Sequence, residues 1–160
     1  MRRTVDEEID AVIAAHPLRS RFVLNDTSAW VAPFERQLPF RLPPSYRSLI
    51  ARYRFPSFQC SRVTMFGNLT GQERDDLVIA STRDSTLSSV IRRSGFLQVG
   101  RPETGSYDPV CFDLRNRAKS NEAELVQLDH EEILINGKIS IVRRTARSFL
   151  ELLAGVELPN

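Results

Sequence analysis

The densest run of chemistry-bearing side chains in this sequence is Asp129-His130-Glu131-Glu132. An imidazole beside carboxylates can act as a general base, and the same set can ligate a cation. Hydrolysis needs a nucleophile brought to that base in space, so a hydrolytic reading pairs His130 with Asp113 or Asp129 in a cleft. No Gly-x-Ser-x-Gly nucleophile motif accompanies it. If the run closes a strand, adjacent side chains point to opposite faces. Only Asp129 and Glu131 would then share an ion, and two carboxylates make a poor site. The other histidine, His16, stands at the end of a helical stretch, where its cation suits the helix dipole. Cys60 and Cys111 form no Cys-x-x-Cys pair, which argues against a zinc knuckle; both are expected reduced and buried in strands. Gly100 to Gly105 lacks the Lys-Ser/Thr ending of a phosphate loop. The expectation is no catalytic residue, no metal and no cofactor.

Charge excludes further classes. Across 160 residues the formal net charge is +2, with 41% apolar and 26% charged residues. That is globular composition. The basic residues Arg92-Arg93, Arg115, Arg117, Lys119 and Arg143-Arg144 are scattered among acids, with no RNA-recognition signature, so direct nucleic-acid binding is not expected. No stretch approaches the roughly 18 apolar residues of a membrane span. The start, Met1 to Glu8, turns acidic before any apolar run and does not read as a signal peptide. A cytoplasmic location is expected, which makes the sequon Asn68-Leu69-Thr70 a coincidence at a turn.

The elements that must position these groups are legible by periodicity. Thr4 and Glu7 form a capping-box pattern, and Val5, Ile9, Val12 and Ile13 share one helical face up to Pro17. Phe22-Val23-Leu24 reads as a short strand or a buried connection. A short helix is expected near Pro33 to Leu38, with Pro33 at its first position. Pro44 opens another, carrying Tyr46, Leu49, Ile50 and Tyr53. Ser57 to Phe66 reads as one strand, and residues 71 to 80 as weakly helical. Asp84 or Ser85 caps a helix that Gly95 stops. Phe96 to Val99, Val110 to Leu114 and Leu125 to Leu128 read as strands. Ile133-Leu134-Ile135, Asn136-Gly137 and Ile139-Ser140-Ile141 read as a hairpin, because Asn-Gly suits a type I′ turn. A last helix carries Ala146, Phe149, Leu150 and Leu153. Helices first and strands later predict an α+β domain with a mixed, largely antiparallel sheet flanked by helices. It should be one domain over 1–160, with a core at 28–154 and an N-terminal helix at 4–16.

The order of these pieces resembles the SUKH superfamily, the group built around the Smi/Knr cell-wall regulators of yeast. The resemblance lies in Leu42-Pro43-Pro44-Ser45-Tyr46 through Ile50, in Phe34-Glu35-Arg36-Gln37-Leu38 before it, and in Phe96 to Gly100. Val110 to Leu114, Leu125 to Glu131 and the closing Ser148 to Leu153 complete it. Two loops depart from the pattern, at Tyr53 to Pro56 and at Gly105 to Asp108. The resemblance implies an immunity protein that covers a cognate polymorphic or contact-dependent toxin, a nuclease in the first instance, without catalysis. The alternative it carries is a regulatory scaffold or a small-ligand or peptide sensor of the same fold.

If the partner is a basic toxin, surface carboxylates would steer and lock the complex. Asp75, Asp76, Asp108, Asp113, Asp129 and Glu131 are the candidates. Trp30 and Tyr107 are the candidate aromatic anchors, since such residues dominate interface energetics. Tyr53 and Phe66 are expected in the core.

Overall fold

The computed structural model of the chain describes residues 1–25, 28–69, 76–82, 85–117 and 119–155. Its first helix, α1 (Val5–Ala15), starts where the sequence places it: Thr4 Oγ1 accepts the Glu7 amide at 3.2 Å while Glu7 accepts the Thr4 amide at 2.8 Å. There follow β1 (Val23–Leu24), α2 (Ser28–Arg36), α3 (Pro44–Arg52), β2 (Tyr53–Arg54), β3 (Phe58–Cys60) and β4 (Val63–Met65). The rest are α4 (Leu77–Thr82), α5 (Thr86–Arg93), β5 (Phe96–Pro102), β6 (Val110–Asp113), β7 (Glu124–Leu128), α6 (His130–Asn136), β8 (Ile141–Ala146) and α7 (Phe149–Leu153). The architecture is α+β. Strands β3 to β8 form a six-stranded antiparallel sheet in sequence order, and β1 pairs with β2 in a separate ribbon.

The sheet is apolar on both faces. Leu97, Phe112, Leu125 and Ala146 are cross-strand neighbours on one face. They join the main core with residues of α1, α2, α3 and α7, where Tyr46 packs at 5.1 Å on both Phe112 and Phe149. Phe96, Cys111, Val126 and Leu128 belong to a smaller second core, closed by Val90 and Ile91 of α5 and Ile133 of α6.

Three expectations fail for identifiable reasons. Residues Ile133 to Ile135 are helical rather than half of a hairpin. Asp129 caps α6 by accepting the amides of Glu131 and Glu132, and Gly137 ends it in the left-handed region at φ 62°. Asn-Gly serves a helix C-cap as readily as a turn, and the second core needs a lid that a strand would not supply. The stretch Ser57–Phe66 is two strands. Ser61 and Arg62 turn the chain at φ 50° and 64° without any glycine or asparagine. That strain is held by Ser61 Oγ and Cys60 Sγ, which donate to the Leu152 carbonyl of α7 at 2.8 and 3.1 Å. Pro33 lies inside α2 rather than at its start. Ser85 caps α5, as its position suggests; Asp84 and the predicted helical residues 71–75 fall outside the described residues.

Asn68 pins the helical layer to the sheet. Buried at the end of the β4 excursion, it accepts the Phe55 amide at 3.0 Å and donates to the Ile50 and Tyr53 carbonyls at 3.2 and 2.7 Å. The approach is close: a Cβ on neighbouring Gly67 would lie 2.7 Å from the Phe55 carbonyl oxygen. Asn68→Ala removes three hydrogen bonds to backbone groups of Ile50, Tyr53 and Phe55. It should lower the unfolding free energy by about 2–4 kcal/mol, measured by urea denaturation; a loss within 0.5 kcal/mol, the scale of an ordinary surface change, would refute the pinning role.

Candidate functional site

The antiparallel register of β6 and β7 sets Val110 opposite Gln127. It thereby brings the loop before β6 against the start of α6, at one end of the sheet. Asp108 is the hub of that end. Its Oδ1 accepts from His130 Nδ1 at 2.6 Å and from the His130 amide at 3.1 Å, and its Oδ2 accepts from Gln127 Nε2 at 2.7 Å. Partial burial opposes the charge on Asp108, but these three donors outweigh it and hold the carboxyl below its usual value. An ionised carboxylate only accepts, so Nδ1 carries a proton. The Tyr107 ring lies 6.0 Å from the His130 ring.

A carboxylate–imidazole pair is the orienting half of a hydrolase triad. The partner is Asp108, neither Asp113 nor Asp129 as the sequence suggests, and among the described residues no hydroxyl or thiol hydrogen-bonds to His130. Asp108, Asp129 and His130 each offer a donor atom within 4.8 Å of the others, the one such metal-competent set among the described residues. Both oxygens of Asp108 are already engaged, and Asp129 Oδ1 caps two amides. Among the described residues, Asp129 Oδ2 and His130 Nε2 make no such bond, so the set keeps donor atoms for a cation. The expected Asp129–Glu131 pairing on a strand does not arise, because Asp129 is a helix cap and Glu131 lies on the first turn.

Four of the sequence-derived candidates therefore meet here: Tyr107, Asp108, Asp129 and Glu131. Three others are buried or half-buried. Asp76 is 2% exposed and caps α4 by accepting the Val78 and Ile79 amides. Asp113 is buried at the opposite end of β6, clamped bidentately by Arg115 at 3.0 and 2.9 Å. Trp30 is half-buried against Phe34, at 5.5 Å between rings. Asp75 falls outside the described residues. Beside Tyr107, the sequence does not single out the exposed apolar residues of α6 and β8. Tyr107 is 65% exposed, Leu134 55% and Ile135 76%, with Ile141 and Val142 about half exposed. The hairpin expectation places Ile133 to Ile135 in a strand; in α6 only Ile133 is buried.

A separate cleft of about 870 Å³ runs between α1, β3 and α7, lined by Val12, His16, Leu18, Cys60 and Leu153. Cys60 Sγ lies 3.6 Å from His16 Nε2. His16 Nδ1 accepts the Leu18 amide at 3.0 Å, which puts the imidazole proton on Nε2, facing sulfur. Burial holds the imidazole below its ordinary 6.5 and pushes the thiol up. The pair is thus neutral, and the imidazole has no lone pair with which to take the thiol proton.

No protein-family model matches this chain, and no curated protein matches it.

Stability should fall as pH drops below about 6.5, because the unfolded chain protonates His16 before the folded chain does. It should fall again below about 3.8, where the depressed carboxyls of Asp10, Asp108 and Asp113 lose their contribution. His16→Asn keeps an acceptor for the Leu18 amide and cannot titrate. Urea denaturation across pH should show the variant spared the first loss; equal slopes in the two proteins would contradict the assignment.

Proposed function

We propose that this chain is an immunity protein of the SUKH type, which binds a cognate polymorphic or contact-dependent toxin and blocks it by occlusion without turnover. The observation that carries the reading is the exposure of Leu134 and Ile135 on α6 and of Tyr107, whose ring lies 6.0 Å from that of His130 at the start of α6. Tyr107, Leu134 and Ile135 supply rigid apolar contact beside Asp129 and Glu131. Burying such side chains drives association, and rim charges steer it. The α+β class of the fold is compatible with the reading. The toxin class that fits Asp129 and Glu131 is a basic nuclease.

A second reading, a small-ligand sensor of the same fold, draws on the cleft between α1 and α7. Its volume is within the range of small-molecule sites, and its lining is mostly apolar, with Arg3, Glu8, Gln59 and Glu151 among it. Thermal shifts with small apolar ligands separate it from the first reading, which expects none.

The product of the gene adjacent to this one should bind the purified chain in calorimetry and be inhibited by it. Ile135→Asp should weaken that affinity by about 30-fold or more, the scale of an interface hot spot, with the unfolding midpoint unchanged because the side chain is solvent-exposed. Absence of binding by any neighbouring toxin, or unaltered affinity of the variant, would sink the proposal.

A further inference from the structure

We infer that the outer edge of β8 takes up an extended, acidic segment of the protein partner as a seventh strand of the sheet, an inference that rests on the protein-binding reading above. The sheet has two edges. The β3 edge is three residues long and begins with buried Phe58, and so brief an edge is a poor template. The β8 edge is six residues long, with Ile141 to Arg144 all exposed. Its inner side pairs with β7. Among the described residues no hydrogen bond reaches its outer side.

The charge of this edge selects the occupant. From Lys138 to Ser148 the chain carries Lys138, Arg143, Arg144 and Arg147 and no carboxylate. The neighbouring strand offsets little of this, since Glu124 reaches Arg144 at 3.4 Å in an exposed pair. Register skips leave Val142 and Thr145 as bulge residues. Bulges and cationic side chains are the devices by which sheets deter indiscriminate edge pairing. A second copy of this chain is deterred as well: antiparallel pairing about the middle of β8 sets Arg143 opposite the partner's arginine, and like charges directly opposite are destabilising.

An acidic strand reverses that deterrent. Arg143 lies beside Gln127 and Arg144 beside Val126 in the register, so the two guanidinium groups flank opposite faces of the sheet. Two consecutive carboxylates on an incoming strand would meet one each. Ile141, beside Leu128 and half exposed, offers an apolar neighbour further along. The fitting segment is therefore extended, with paired acids followed by β-branched residues. Main-chain hydrogen bonds would give affinity and the arginines specificity.

The test uses the full chain and two capped peptides, Thr-Thr-Glu-Glu-Val-Val and its Lys-Lys counterpart, followed by amide NMR and hydrogen exchange. The glutamate peptide should shift and protect amides of residues 141–146 and bind at least tenfold more tightly than the lysine peptide. The double variant Arg143→Glu, Arg144→Glu should reverse the preference. Equal binding of the two peptides, or no response in β8, would overturn strand addition. Docking of the peptide without any toxin partner would sink the immunity reading and leave strand addition standing. A toxin that binds in an Ile135-dependent way while β8 ignores the peptide would do the opposite.

Discussion

The constraint on which this structure depends is the two-sided burial of its central strands. Every residue of β6 and the first five of β5 are buried. Leu97, Val99 and Phe112 need cover on one face, Phe96 and Cys111 on the other. A strand buried on both faces requires a layer on each. The front helices supply a large one. The other face is left to α5 and α6, of eight and seven residues. Because α6 must reach the second core directly from the end of β7, its first turn falls beside the loop entering β6, and the Asp108 hub follows from that geometry.

The same economy explains what the hub does. A lid one helix long can turn only one apolar face inward, and Ile133 occupies it. Asp108 then holds the lid from its N-terminal end by taking both the imidazole and the amide of His130. The carboxylate is consumed in fastening an element. Leu134 and Ile135 are left exposed on its outer side. Chemistry and packing thus meet at one end of the sheet.

Long-range polar pins fix the helical layer over the main core. Glu122, in the loop before β7, accepts the Ser45 amide at 2.9 Å and its hydroxyl at 2.7 Å, capping α3 where Pro43 and Pro44 provide no cap of their own. Arg117 donates to the carbonyls of Arg41, Leu42 and Asn121. Asp10 of α1 binds Arg52 bidentately at 2.7 and 2.8 Å and takes the Tyr53 hydroxyl at 2.6 Å. Burial and that carboxylate push the Tyr53 hydroxyl up to about 12. With Asn68, these contacts tie three segments distant in sequence to the ends of α3.

The sequence by itself determined the class of the fold and most of its elements. Capping pairs such as Thr4–Glu7 and Ser85–Ser88 are local, and the 3.6-residue spacing in α3 and the alternation in β6 are periodic, so both survive in one dimension. The helix–strand choice at residues 133–136 was decided by tertiary structure. Asn-Gly is compatible with a hairpin or a helix end, and only the uncovered second core selects the helix. The Ser61–Arg62 turn was equally illegible, since its strain is tolerated through an anchor on Leu152, some ninety residues away. The site was half legible for the same reason. Tyr107, Asp108, Asp129 and Glu131 could be singled out as side-chain types, but their meeting, and the burial of Asp76 and Asp113, depend on strand register and on which cation or amide each carboxylate finds. Partner choice among like charges is a property of distance in space, and separation along the chain carries almost none of it.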